Sequence, residues 1–373
     1  MSMDEIVRAH VSAGRRIVGI GPMSPNCAQA IYSWSHEQQM PLMLIASRRQ
    51  IEAAPLGRGY VNDWTSESFC AYAQSVRASY SHSSVFICRD HGGPWQGYGE
   101  EKMPFEQAMG RAKKSYESDI LSGFDLLHLD PSVNADGKAT LERALTAGFE
   151  LLSHCVEFAE KNGRGKDSDR PLSFEIGTEE NVGHATSSEV FEEGLVKMLD
   201  FCSSHGLPKP LFVVGQTGSL VKEMRQVGEF DFDTASRLAR MASGHGVLLK
   251  EHNDDYLSPY QLSRRAAAGV PALNVAPEFG VIESQAFVEL AMKKKKPELV
   301  SQFLQLAHAS GKWKKWVLDA AHISRYDIGL ISGHYVFSTP QFQKLRSALG
   351  AEEFDALAQE RLRARIGFYN QMV

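Results

Sequence analysis

Nowhere does the sequence contain an apolar run of the ~20 residues that a membrane-spanning helix needs. No membrane partner is therefore expected. Cysteine is scarce and carries no pattern: Cys27, Cys70, Cys88, Cys155 and Cys202 are odd in number, scattered, and never spaced C-x-x-C. That excludes a disulfide scaffold and a finger-type structural zinc site. An excess of positive charge is missing too. Lys+Arg total 40 against 45 Asp+Glu, a formal charge of −5, so the electrostatic footprint of a nucleic-acid binder is absent. The opening stretch MSMDEIVRAHVSAGRR has neither an apolar h-region nor a small-residue cleavage site. A reducing cytoplasm is the expected location.

Several catalytic signatures are also lacking. There is no G-x-x-x-x-G-K-[ST], so P-loop kinase chemistry has no support. GIGPMSPN, after the first apolar run, lacks the G-x-G-x-x-G of a dinucleotide site, and no G-x-S-x-G elbow occurs.

What is present is an alternation. Short apolar runs fall at 16–21, 41–46, 85–90, 124–130, 172–178, 211–216, 246–252 and 271–276, each ending near Gly, Pro, Asp or Asn. Runs without internal polar alternation suit parallel strands covered on both faces. Between them, amphipathic stretches predict helices near 25–38, 66–79, 104–122, 139–162, 187–206, 233–244, 257–268 and 283–293. Strand–helix alternation repeated eight times is the pattern of a (β/α)8 TIM barrel, an α/β fold; an open doubly wound sheet is the alternative. From about residue 297 the pattern turns wholly helical. The expected division is a barrel over 1–296 and a helical C-terminal extension over 297–373, packed on the barrel. The lysine run 293–296 reads as the cationic end of a helix.

Such barrels build their active sites at the C-terminal ends of the strands, and polar residues collect there. The third strand ends in Arg89-Asp90-His91-Gly92-Gly93, the fourth in His128-Leu129-Asp130-Pro131-Ser132, the fifth in Gly177-Thr178-Glu179. The sixth ends in Gly215-Gln216-Thr217-Gly218-Ser219, the seventh in Glu251-His252-Asn253-Asp254-Asp255, the eighth in Asn274-Val275-Ala276-Pro277-Glu278. Mixed imidazole and carboxylate donors suit a divalent metal such as Zn, Mn, Co or Ni. The expected ligands are His91 and His252, completed by Glu179. An open site of that kind polarises a carbonyl while a carboxylate moves a proton; Asp90 and Asp130 lead for that role. Lys250 as a Schiff-base amine ranks lower, because Glu251, Asp254 and Asp255 beside it would raise its pKa. The G-Q-T-G-S loop offers backbone N–H groups to an anion, though Gly-Ser loops are common.

The ordered series RDHGGP, LHLDPS, IGTE, VVGQTG, EHNDDY and LNVAP, with SGHY at 332–335, resembles the accessory, Z-type subunit family of class II D-tagatose-1,6-bisphosphate aldolase, whose members are also labelled tagatose 6-phosphate kinase. The resemblance spans roughly residues 10–340. It implies a metal-dependent class II aldolase barrel in which Asp90 is the acid/base and His91 and His252 hold the metal. It implies a ketose or ketose phosphate of the tagatose/fructose type, acted on by aldol cleavage or 4-epimerisation. Asp130 and Asp255 would orient chain hydroxyls, and Gln216, Gly218 and Asn274 would contact the far end. The alternative it carries is a non-catalytic subunit that stabilises a partner class II aldolase subunit. Barrels of this size also commonly form homo-oligomers.

Departures from the family pattern cluster near the expected phosphate end. A lysine is Asn274 here, a glycine is Ala276, an arginine is Ser284, and Glu278 and Glu283 add acid. Arg48 and Arg49, where the second strand ends, could restore phosphate binding because guanidinium forks pair bidentately with phosphate, or could be solvated surface charge.

Overall fold

The structure, a computed structural model, describes residues 1–134, 137–138, 140–177, 183–319 and 321–371. Eight parallel strands close into a barrel in chain order. They are β1 (Ile17–Ile20), β2 (Pro41–Ser47), β3 (Ser84–Gly92), β4 (Leu126–Leu129), β5 (Ser173–Ile176), β6 (Phe212–Val214), β7 (Leu248–Glu251) and β8 (Ala272–Val275). β8 closes on β1 with Ile17 opposite Ala272 and Ile20 opposite Val275. The TIM barrel expected from the alternation is the fold.

A short helix, α1 (Met3–Ser12), precedes β1 and was not anticipated. Its Met3 and Val7 join Ile17, Met43, Cys88, Leu126, Phe212 and Ala272 in one apolar cluster, plugging the N-terminal end of the barrel. Each strand is then followed by a helix: α2 (Pro25–Gln38), α3 (Ser66–Ser79), α4 (Phe105–Ser122), α5 (Leu141–Lys161), α6 (Ser188–Ser204), α7 (Phe232–Gly244), α8 (Pro259–Ala267) and α9 (Pro277–Lys293). Side-chain caps explain most of the starts. Ser24 takes the N–H of Cys27 ahead of Pro25, and Ser258 with Gln261 forms a reciprocal capping box.

α9 begins at Pro277 rather than near 283. Proline at its first turn needs no N–H partner, and Asp255 Oδ1 accepts the N–H groups of Ala276 and Glu278, both at 2.9 Å.

The extension comprises α10 (Pro297–Ala309), α11 (Arg325–Ser332), α12 (Pro340–Leu349) and α13 (Ala351–Gln371). It wraps α9, whose Phe287 meets Phe303 and Phe342 at ring-centroid distances of 5.0 and 5.3 Å. Burying each such ring contributes about 1.5–3 kcal/mol. α13 returns to the barrel, where Leu362, Ile366 and Tyr369 enter the main core. The Tyr369 hydroxyl donates to the carbonyl of Asp254 at 2.8 Å. Lys294 reaches the Leu349 carbonyl and Glu353 at 2.8 and 2.7 Å, so the lysine run ties two helix ends together.

Candidate metal centre and active site

In a regular strand, Asp90 and His91 would face opposite sides of the sheet. Here the β3–β4 register shifts between Arg89 and Gly92, and His91 sits at φ 44°. Such a conformation costs a non-glycine residue about 1–3 kcal/mol. The bulge re-aims the chain so that Asp90 and His91 both line the barrel mouth. Arg89 points the other way and clamps Asp119 through Nε at 2.7 Å and Nη2 at 2.6 Å, with both side chains buried. That pair pins the strand to α4.

His91 Nδ1 lies 2.8 Å from Asp130 Oδ2. A carboxylate only accepts, so Nδ1 carries a proton, and Nε2 is the nitrogen that can face a metal once its own proton is lost. Across the mouth, His252 Nε2 lies 2.8 Å from Glu175 Oε1, which likewise leaves His252 Nδ1 as the lone-pair nitrogen. These two nitrogens face each other at 3.2 Å. A tetrahedral ion bound to nitrogen at about 2.0–2.1 Å spaces its ligands by about 3.3–3.4 Å. The pair therefore fits a first-row divalent metal, and each imidazole is backed by a carboxylate as metal-binding histidines usually are. Asp90 stands beside both, 3.7 Å from His252 Nδ1 and 3.9 Å from His91 Nε2.

A third imidazole, His128, joins them: one ligating atom from each of the three lies within 4.8 Å of the others. His128 Nδ1 accepts the backbone N–H of His91 at 3.2 Å, while its Nε2 has no partner among the described residues. It is accordingly less ready to ligate than the facing pair. Gly177 leaves room for it, since a Cβ there would stand 2.9 Å from His128 Nε2.

Charges in the floor are balanced. Glu175, fully buried, bridges His252 and Lys250, whose Nζ is 2.6 Å from Glu175 Oε2. Burial opposes ionisation of Glu175, but Lys250, His128 and His252 overcome it and hold the carboxyl well below its usual range. Burial likewise disfavours charged His91, yet Asp90 and Asp130 outweigh it and lift the imidazole to about 9. For His128 burial prevails, lowering it to about 4 and keeping it neutral. Asp130 is brought down to about 2: burial opposes this, but the His91 hydrogen bond, the neighbouring imidazoles and Ser132 prevail.

The mouth opens into a cavity of about 480 Å³. Asp90, Asp130, His91, His252, Gln216 and Arg49 all line it, so most of the expected site converges. Asn274 sits underneath, donating through Nδ2 to Asp90 Oδ1 at 3.0 Å and lying 3.1 Å from His252 Nε2. Its amide holds the Asp90 carboxylate from below the cavity lining. Asp130 has its oxygens committed to His91, Gln96 and Ser132.

Asp255 and Gly218 are corrections. Asp255 does not line the cavity; its carboxylate caps α9, and burial together with the Glu278 carboxylate pushes it up to about 8 against the two N–H bonds it accepts. Gly218, at φ 101°, packs its Cα against the Glu229 backbone outside the cavity lining. Arg48 is also spent: it is buried against Glu52 and Glu100 at 2.8 and 2.6 Å. Glu179 lies outside the described residues.

Glu175 and His128 were not singled out from the sequence as site residues. Their signal was a charged or imidazole side chain embedded in an apolar strand, SFEI and LLHL, where only an interior partner makes it tolerable.

No protein-family model matches this chain. Among solved structures, the chain is similar to a probable tagatose 6-phosphate kinase from Sinorhizobium meliloti 1021, at 19% identity and TM-score 0.77, covering 96% of this chain and 100% of that one. It is similar to the YdjI aldolase from Escherichia coli K12 at 12% identity and TM-score 0.54, covering 94% and 99%. A fructose-bisphosphate aldolase from Campylobacter jejuni matches at 10% identity and TM-score 0.59, covering 100% and 96%. At these identities the likeness establishes a shared fold: this chain has the same (β/α)8 barrel over nearly its whole length.

Proposed function

We propose that the protein is a divalent-metal-dependent enzyme of the class II aldolase type, acting on a ketose or ketose phosphate by aldol cleavage or by 4-epimerisation. The observation that carries this reading is the facing pair His91 Nε2 and His252 Nδ1, 3.2 Å apart and each backed by a carboxylate. The resemblance of the strand-end motifs and the aldolase-like barrel support it. His91 and His252 would hold the ion, with His128 and Asp90 adjacent. When bound, such an ion polarises a substrate carbonyl and offsets the charge that develops as a carbon–carbon bond breaks.

The chain's own residues account for the rest. Asp90, held low in pKa despite burial by His91, His252 and His128, is the base that takes the proton of the hydroxyl whose carbon becomes the aldehyde. Asn274 fixes the Asp90 oxygen that does not face His91. Returning the proton to the hydroxyl after re-addition to the other face of the aldehyde gives the epimer; losing the aldehyde and delivering that proton to the carbon left behind gives cleavage. Gln216 and Gln96 line the cavity where chain hydroxyls would lie.

The test is metal content of the purified chain by mass spectrometry. About one Zn, Mn, Co or Ni per chain is expected, lost in His91→Ala/His252→Ala and kept in Asp90→Asn, with Asp90→Asn slowing turnover by about 10²–10⁴-fold. A chain that takes up no metal after reconstitution sinks the enzyme reading. It would favour the alternative, an accessory subunit for a class II aldolase.

A further inference from the structure

Barrels of this kind often hold a substrate phosphate at the loops after the last two strands, where a helix N-terminus offers free N–H groups. That end is closed here. The Ala276 and Glu278 N–H groups at the start of α9 are taken by Asp255. Glu278 adds a second carboxylate, itself tied to Arg365 Nε at 2.6 Å and to the Tyr369 hydroxyl at 2.6 Å. In the loop after β6, Ser219 Oγ is engaged by Arg265 at 2.6 Å. An anion approaching this wall would meet acids and spent donors.

The opposite wall has the reverse character. Arg49, after β2, and Lys315, from the extension, both line the cavity. Burial first, and then the charges of Arg49, Lys312 and Lys222 nearby, disfavour the protonated Lys315 and bring it down to about 8. Aromatic rings carry these cations. Arg49 lies 5.6 Å and Lys312 4.7 Å from the Tyr98 ring centroid, and Lys315 lies 4.5 Å from Trp316 and 5.7 Å from Tyr335. The acids nearby do not offset the group: Glu101 approaches Arg49 only at 3.9 Å with its side chain 60% exposed, and Glu223 is engaged by Arg225 at 3.2 Å.

The segment bearing Lys315 is fixed over the mouth. Lys222 Nζ donates to the Lys315 carbonyl at 2.7 Å, the Glu223 N–H to the Trp316 carbonyl at 2.6 Å, and Trp316 Nε1 to the Tyr335 hydroxyl at 3.0 Å. Four cations are thus gathered at one side of a cavity in a chain of net charge −5, although their mutual repulsion gives folding no reason to gather them.

We infer that the C-terminal extension supplies the anion-binding end of the cavity, with Lys315 and Arg49 clasping the phosphate of a phosphorylated sugar whose other end reaches His91 and His252. The phosphate end has moved from the β7–β8 side of the barrel to the β2 side. The inference rests on the aldol reading for the identity of the substrate, but not for the existence of the anion subsite.

Inorganic phosphate is the probe, titrated calorimetrically at low ionic strength into the full-length wild type, Lys315→Gln, Arg49→Gln/Lys315→Gln and His91→Ala/His252→Ala, with sulfate in parallel. Saturable binding to wild type is expected, weakened at least tenfold in Lys315→Gln, abolished in the double cation variant, and retained in the histidine variant. Melting curves on the same samples verify folding, and Lys315→Glu, a charge reversal, must weaken binding further. Absence of saturable binding to wild type overturns the inference. So does binding that survives Arg49→Gln/Lys315→Gln but vanishes in the histidine variant, which would put the anion on the floor. Loss of the aldol reading registers separately, as a wild type that binds phosphate but holds no metal.

Discussion

The floor and the rim of the cavity treat charge in opposite ways. On the floor every buried ion has a partner: Lys250 with Glu175, Glu175 with His252, Asp130 with His91. At the rim, Arg49, Lys312 and Lys222 all bear on Lys315, whose protonated form burial and these like charges disfavour. Buried charge is tolerable only when paired, because the interior offers no water to replace the lost hydration. Rim charge is screened, so it can be left unbalanced and available to a ligand. Folding constrains the floor; binding constrains the rim.

The largest effect expected from this contrast comes from breaking the floor. Glu175→Gln leaves Lys250 buried without a counter-charge and should destabilise the fold by about 3–5 kcal/mol. It should also lower metal affinity by about 10–100-fold through loss of the carboxylate behind His252. Denaturant unfolding and metal titration check the two parts. A variant as stable as wild type would show that the floor is not a folding element.

A second test sharpens the floor's chemistry. His91, lifted to about 9, is protonated at neutral pH in the metal-free chain, and a ligand must lose that proton. Metal affinity should rise about tenfold per pH unit between pH 7 and 9 and level off above, with about one proton released per ion at pH 7. Calorimetry in buffers of different ionisation enthalpy counts that proton. A flat profile would show that His91 does not ligate. By linkage the metal-free fold behaves in the opposite sense. A histidine raised from its unfolded 6.5 contributes stability that is full below pH 6.5 and lost as pH climbs to about 9.

The smallest effect belongs to the rim. Lys315→Gln should leave stability within about 0.5 kcal/mol of wild type, since it removes no ion pair and the relief of like-charge repulsion offsets the lost contacts with Trp316 and Tyr335. A clear drop in melting temperature would mean that Lys315 is a structural element, and the contrast between floor and rim would fail.

Much of the architecture was legible in the sequence because burial on both faces leaves an unmistakable mark. Runs such as PLMLIA and FDLLHLD can only be covered strands, and the amphipathic stretches between them can only be their helices. Asp90, His91 and His252 were legible because polar residues that close an apolar strand of a barrel must emerge at its mouth. Asp255 misled for the same reason: it also follows β7, but its carboxylate is spent on the Ala276 and Glu278 N–H groups at the start of α9. The plug helix α1 escaped notice although Ser2 and Glu5 form a local capping box at its start, and the early start of α9 escaped notice because it depends on Asp255, outside its own stretch of sequence.

The sequence by itself determined the eight strand–helix repeats, the helical extension and the ends of the strands at which chemistry gathers, since hydrophobic period and local capping are properties of neighbouring residues. Only the tertiary structure decided that a bulge aims Asp90 and His91 the same way. It also decided that Glu175 and Lys250 meet inside the barrel, and that Lys315 of the extension arrives near Arg49, after β2. Those pairings depend on strand register and on barrel closure. Both are fixed by the packing of the whole chain, so no local stretch of sequence specifies them.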